Sequence, residues 1–259
     1  MSKKVIISQP WGGLGDNLQY STLPELFSNK GYDVYISNNN KVTNQETVDL
    51  VWKLNPYIKG FSTDSPNAGE CKNKFWPPPS QNEYSMHRIE ISHGFEKTNF
   101  YPKIYYTPSI NENLNNVILI DLTGSSQVFE FYKYKEYIDY FVPLLEQKIK
   151  NNNLIIKIAK FKNYTVSPIF DKIYEYLKSK ITDVTELEIN SLNHYSDIIN
   201  SINSLIILNS GINSLSSAIK KDNDKPYILC YNIWSHFTSE EIKGCYNYKN
   251  IEYFQSKIP

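Results

Sequence analysis

Short β-branched runs alternate along the chain with stretches whose apolar residues recur at helical spacing. This alternation predicts parallel strands joined by crossover helices. Residues 4–8 (KVIIS) read as a first strand, followed by the turn Gly12-Gly13-Leu14-Gly15 and a helix over 16–30. Pro24 lies inside that helix and is expected to kink it or to delay its regular part. Residues 33–37 form a second strand. Helical spacing runs over 43–54 through Val48, Val51, Trp52 and Leu54, and Asn55-Pro56 stops it. Regularity fails over 62–80, where Pro77-Pro78-Pro79 excludes a central strand and a helix interior alike. A further helix is predicted over 84–93, ended by Gly94.

Asn and Ser then cluster without period over 108–115, which reads as an interdomain linker. Beyond it the alternation is cleaner. Strands are predicted at 117–122, 154–158, 184–189, 205–208 and 226–231, with helices at 134–150, 168–180, 194–202 and 212–221. No repeat of fixed period is present, which argues against a solenoid. Each half opens with a strand, a glycine-containing turn and a helix. We therefore expect an α/β chain of two Rossmann-like domains, residues 1–110 and 111–259.

The length, 259 residues, admits one large domain or two ordinary ones, so the paired openings decide for two. Lys+Arg and Asp+Glu both number 27, and no overall field draws the chain to nucleic acid or anionic lipid. Zero net charge with 14% aromatic residues is the reverse of a disordered composition. Arg88 is the sole arginine, which nearly excludes recognition by guanidinium forks. Cys71, Cys230 and Cys245 are too far apart to imply a disulfide framework or a zinc site. The early run Val5-Ile6-Ile7 is too short for a signal-peptide core, and no stretch approaches about 18 apolar residues. A cytoplasmic protein without a transmembrane segment is expected.

Three turns carry candidate chemistry. Glycines 12, 13 and 15 let a ligand approach the backbone at the carboxyl end of strand one, where open parallel sheets bind ligands. The spacing is neither G-x-G-x-x-G nor that of a P-loop. Asp16 at the helix start is either a cap for free N–H groups or a general base in a crevice. The second turn, Asn209-Ser210-Gly211, points a helix start at the sheet end, a geometry that binds phosphate without metal or arginine. Ser210, Asn213 and Ser214 would add donors, although an ordinary capped βα turn has the same composition. The third, Asp121-Leu122-Thr123-Gly124-Ser125-Ser126, occupies the equivalent end of the same sheet. Lys133 or Lys135, near the following helix start, either neutralises a diphosphate there or is an ordinary solvated lysine. Asp222-Asn223-Asp224 has D-x-D form but falls at the opposite sheet end and reads as a turn. His87, His93, His194 and His236 lack metal-site spacing; of these, only His236 follows a strand's carboxyl end.

Together these segments resemble glycosyltransferase family nine, the ADP-heptose lipopolysaccharide heptosyltransferases and their relatives. Gly13-Leu14-Gly15-Asp16-Asn17-Leu18 with Pro24 is similar to that family's opening G-x-G-D-x-L…P segment. Leu54-Asn55-Pro56-Tyr57-Ile58 is similar to its N-P after the second helix, and residues 121–126 stand in place of its P-G-[AS] turn. Residues 205–218 resemble its D-[ST]-G-x-x-H-x-x-A-A signature, with Asn209 for the Asp and Ser214 for the His.

The resemblance implies two Rossmann-like domains facing across a cleft, the GT-B fold. The second domain would hold a nucleotide-sugar through Thr123, Gly124, Ser125, Ser126, Lys133, Asn209, Ser210, Gly211, Asn213 and Ser214. The first would hold a glycan or lipid-linked saccharide acceptor at the loop of Gly13, Gly15 and Asn17. Asp16 would be the catalytic base of a metal-independent, inverting transfer, with no cofactor and no nucleic-acid partner. Two alternatives stand beside this one. A fucosyltransferase opening, G-G-L-G-N-Q, is similar to residues 12–17, but its basic segment does not match the spacing around His87-Arg88. The other is a catalytically degenerate nucleotide- or sugar-binding module of the same fold.

Overall fold

The computed structural model describes residues 3–9, 11–69, 85–123, 131–162, 169–220, 225–232 and 248–255. The chain divides between Thr107 and Pro108 into two compact units; residues 248 and 249 belong to the first and 250–255 to the second. Among the described residues no helix is long and apolar enough to cross a membrane.

The first unit contains β1 (Lys3–Ser8), α1 (Leu14–Gln19), α2 (Leu23–Asn29), β2 (Tyr32–Ser37), α3 (Gln45–Val48), β3 (Ile58–Ser62), β4 (Ala68–Gly69) and α4 (Ser85–Ser92). Its sheet has the order β3-β2-β1-β4, with every pair parallel. Val5, Ile6 and Ile7 are all buried, which is why β1 reads as a continuous apolar run rather than an alternating one.

The helix expected over 16–30 is two helices. Leu23 N–H bonds Tyr20 O at 3.1 Å, and Pro24 takes the second position of α2, where its missing N–H leaves no bond unmade. The helix expected over 43–54 starts later, at an Asn44 cap whose side chain accepts from Glu46 N, and finishes as a π-helical turn over Asp49–Lys53. β3 and β4 were not anticipated: Lys59 and Gly60 break the apolar pattern of β3, and β4 is two residues long. At Gly69, φ is +83° and a Cβ would lie 2.0 Å from the Ser8 carbonyl oxygen, so only glycine lets β4 pair with β1 here.

The second unit contains β5 (Val117–Asp121), α5 (Phe131–Asn152), β6 (Ile155–Phe161), α6 (Ile169–Lys180), β7 (Thr185–Ile189), α7 (Leu192–Ser201), β8 (Ser204–Leu208), α8 (Gly211–Lys220), β9 (Tyr227–Asn232) and β10 (Glu252–Gln255). All its strand pairs are parallel, in the order β10-β9-β8-β5-β6-β7. Counted from β5, this is the doubly wound order of a dinucleotide-binding sheet. β5 and β8 are buried along their whole length, as central strands covered on both faces must be. Ile118, Ile120, Ile206 and Leu208 pack there against Tyr137 and Phe141 of α5 and Ile173 and Leu177 of α6. Cys230 lies in this interior, where burial pushes its thiol well above the usual range.

Within residues 108–115, read as an interdomain linker, Pro108, Ser109 and Asn111 bond to α7 just past the division between the units. Asn200 Nδ2 donates to Pro108 O at 3.1 Å, Ser109 N to Asp197 Oδ1 at 2.8 Å and Asn111 N to Ser201 Oγ at 2.8 Å. β10 is a further strand the pattern did not reveal; its Phe254 stacks on Tyr140 with ring centroids 3.9 Å apart.

Candidate active site

In each sheet the chain leaves the first strand on one side and returns on the other. The reversal lies between β1 and β4 in the first unit, and between β5 and β8 in the second. Loops at the carboxyl ends of strands separate at such points, and open parallel sheets bind ligands there. The turns singled out in the sequence start at those two ends, the third of them described as far as Thr123.

In the first unit, the glycine turn is fastened from below by a buried amide network. Asn17 is fully buried; its Nδ2 donates to Gly13 O at 2.8 Å. Its Oδ1 accepts from Trp52 Nε1 at 2.8 Å and from Gln9 Nε2 at 3.2 Å. Gln9 Nε2 also donates to Lys41 O at 3.0 Å. The outer side of the turn is closed by Thr43, whose N and Oγ1 donate to Gly12 O at 3.1 and 2.7 Å. A Cβ on Gly12 would come within 2.9 Å of Thr43, so the close approach requires glycine.

Asp16 stands on the first turn of α1, three residues after the capping position held by Gly13. A Cβ on Gly13 would sit 2.8 Å from Asp16 Oδ2. The carboxylate thus lies over the space that a side chain at Gly13 would fill. Asp16 is part-exposed, whereas Gly15 and Asn17 are buried. Of the four residues expected on this loop, Asn17 builds the turn and Asp16 is the group presented by it.

In the second unit, Asn209 follows β8 and its N–H donates to Tyr231 O at 2.9 Å. Asn213 Nδ2 donates to Asn209 Oδ1 at 2.9 Å, and Tyr253 OH donates to Asn213 Oδ1 at 3.2 Å. Asn209, Asn213 and Ser214 are all buried. Ser210 and Gly211, at the start of α8, are part-exposed; Ser210 Oγ accepts from Ile212 N at 3.4 Å. The outward face of this turn is therefore Ser210-Gly211, and the asparagines hold it in place.

Thr123 is part-exposed beyond the end of β5. Its N–H donates to Asp121 Oδ1 at 3.0 Å, its hydroxyl donates to the same oxygen, and Tyr195 OH donates to Asp121 Oδ2 at 2.6 Å. Asp121 is 3% exposed, and burial raises its carboxyl above the ordinary range against the lowering effect of these bonds. In the sequence Asp121 is legible only as part of a turn, and its one signal is a carboxylate ending the otherwise apolar strand VILID. Lys133, on the first turn of α5, is part-exposed with Nζ 5.9 Å from the Tyr132 ring centre. Lys135 Nζ lies 5.5 Å from the Tyr176 ring centre on α6. Gly124, Ser125, Ser126, Asp222, Asp224 and His236 lie outside the described residues.

The described histidines each engage the backbone. His93 Nε2 accepts from Gly69 N at 2.8 Å, His194 Nδ1 accepts from Asn190 N at 3.2 Å, and His87 Nε2 lies 2.6 Å from Asn99 O. Among the described residues no three His, Cys, Asp or Glu side chains gather as a metal site.

No protein-family model and no curated protein matches the sequence. Solved structures do match the fold. The E. coli heptosyltransferase WaaC with ADP superposes at a TM-score of 0.60 and 10% identity, over 98% of this chain and 93% of that one. A family nine glycosyltransferase from Veillonella parvula superposes at 0.61 and 11% identity, over 98% and 86% of the two chains. The iron-containing dodecameric glycosyltransferase TibC from enterotoxigenic E. coli superposes at 0.56 and 13% identity, over 89% of this chain and 59% of that one. The chain accordingly has the fold of the heptosyltransferases and family nine glycosyltransferases, the GT-B fold its motifs led us to expect.

Proposed function

We propose that the protein is a glycosyltransferase that moves a sugar from a nucleotide-sugar to a hydroxyl of a glycan or lipid-linked saccharide. The first unit forms the acceptor side and the second unit the donor side. The observation that carries the reading is Asp16: a part-exposed carboxylate laid over Gly13 at the end of β1, on a turn held by Asn17 and Trp52.

The chemistry is a single displacement. Asp16 accepts the proton of the acceptor hydroxyl, whose oxygen attacks the anomeric carbon as the bond to the diphosphate breaks. The sugar centre gains oxocarbenium character and inverts. Charge develops on the leaving diphosphate, and the start of α8 at Ser210-Gly211 offers N–H donors to it. Thr123, residues 124–126 and Lys133 complete this side, and no metal is required. Removing one preorganised donor of this kind costs about 10²–10³ in rate.

WaaC with ADP is among the matching structures, so adenosine diphosphate sugars are the first donors to test. Thermal shift against ADP-, UDP-, GDP- and CMP-sugars identifies the donor. A ligand at 100 times its Kd stabilises by about 2.7 kcal/mol. No stabilisation by any of them would remove the donor side from this account.

A further inference from the structure

The buried pair Asp121 and Tyr195 is not used by the chemistry above, yet it bonds to Thr123, the part-exposed residue that follows β5. Asp121 lies at the end of the central strand, with both oxygens engaged: Oδ2 by Tyr195 OH at 2.6 Å, Oδ1 by Thr123 N at 3.0 Å and by the Thr123 hydroxyl. Tyr195 is the ionisable group that faces it from α7. From β8 its register partner is Ile207, and the adjoining rung toward β6 is Ile120 against Ile158. Among the described residues no lysine, histidine or second carboxylate bonds to it.

This arrangement fixes the polarity of Thr123. While Asp121 is ionised, the Thr123 proton is committed to Oδ1 and the hydroxyl offers only lone pairs to the outside. A phosphate oxygen brings lone pairs of its own and a second negative charge, so both hydrogen bonding and Coulomb repulsion oppose it. With Oδ1 protonated from solvent, Asp121 donates to Thr123 Oγ1, and the Thr123 hydroxyl is released to donate to the phosphate. Tyr195 OH continues to donate to Oδ2 in both states.

We infer that Asp121 and Tyr195 are positioning residues that couple diphosphate binding at Thr123 to the uptake of one proton by Asp121. The inference rests on the donor-side reading above. Its consequence is that diphosphate affinity falls as pH rises, by up to about tenfold per pH unit where one proton is taken up.

The test is titration calorimetry of ADP, UDP, GDP and inorganic pyrophosphate in buffers of different ionisation heat, which counts protons exchanged on binding. Protons exchanged by the ligands themselves cancel in the difference between wild type and Asp121→Asn. Up to one proton should be taken up by the wild type in excess of the variant. Tyr195→Phe, which removes a donor to the ionised carboxylate, should retain the uptake and extend it to higher pH. Binding with equal proton exchange in wild type and Asp121→Asn overturns the inference and leaves the donor side intact. If Asp121→Asn fails to fold, unchanged uptake in Tyr195→Phe at every pH overturns it equally. Failure of every diphosphate to bind the wild type overturns the donor-side reading and the inference with it.

Discussion

Trp52 Nε1 donates to Asn17 Oδ1 at 2.8 Å, tying the π-helical turn after α3 to the first turn beyond β1. Both residues are buried, and the same oxygen also takes the Gln9 amide. Asn17→Ala would leave Trp52 Nε1 without its partner in a dry site and would remove one bond from Gln9 Nε2 and one from the Gly13 carbonyl, which keep Lys41 O and the residue 17 N–H. A loss of about 2–4 kcal/mol in stability is expected from denaturant unfolding. Trp52→Phe should lose less, and the double variant should show coupling between the sites. Additive losses would mean the bond does not organise the turn.

Gly13→Ala tests the seat of Asp16. The new Cβ would come within 2.8 Å of Oδ2, so the carboxylate must move. Displacement of a reacting group by about 1 Å can cost on the order of 10² in rate. Steady-state kinetics should show kcat reduced on that scale with donor affinity preserved. An unchanged kcat would show that the seat is not needed.

Ser210→Trp places a large ring at the part-exposed start of α8 without touching the buried Asn209–Asn213 bond. Nucleotide binding should be lost while far-ultraviolet circular dichroism and the unfolding midpoint stay near wild type. Unaltered affinity in a folded variant would exclude this turn from the site.

Asp121 also predicts a pH-dependent stability. Burial raises its carboxyl above the unfolded value of 3.8, so the folded state keeps a proton that the unfolded chain has already lost. Stability contributed by this group is present below the unfolded value and is lost as pH rises through the raised folded value. Asp121→Asn removes that loss. The variant should equal the wild type near pH 3.5 and exceed it at neutral pH in urea midpoints. A variant less stable at neutral pH would mean that the bonds from Thr123 and Tyr195 outweigh the cost of burying the charge.

The parts of the fold legible in the sequence are those where one physical signal dominates. Val5-Ile6-Ile7 and the apolar stretch of β8 are buried on both faces, so their runs announce central strands. The turns after them, with Asp16 and Ser210-Gly211, were visible because glycine and short polar residues break those runs. Pro24 signals a break within 16–30 but not its form, because the same residue that kinks a helix interior is favoured at a helix start, and α2 begins there. β4 was invisible: its two residues are held by Ser8 backbone atoms, not by any pattern of their own. Asn213 and Ser214 read as ligand donors because their chemistry suits it. Both are buried, and Asn213 bonds Tyr253, 40 residues later in the chain. The engagement of Asp121 likewise depends on Tyr195, 74 residues away.

Asp16→Ala, assayed for sugar transfer and donor binding on the same preparation, tests the central claim most directly. The carboxylate is assigned to the acceptor proton and not to the donor, so transfer should be abolished while the Kd for the donor changes by no more than a few-fold. Transfer that persists at the wild-type rate, or donor affinity lost together with stability, would make Asp16 a capping residue and contradict the account.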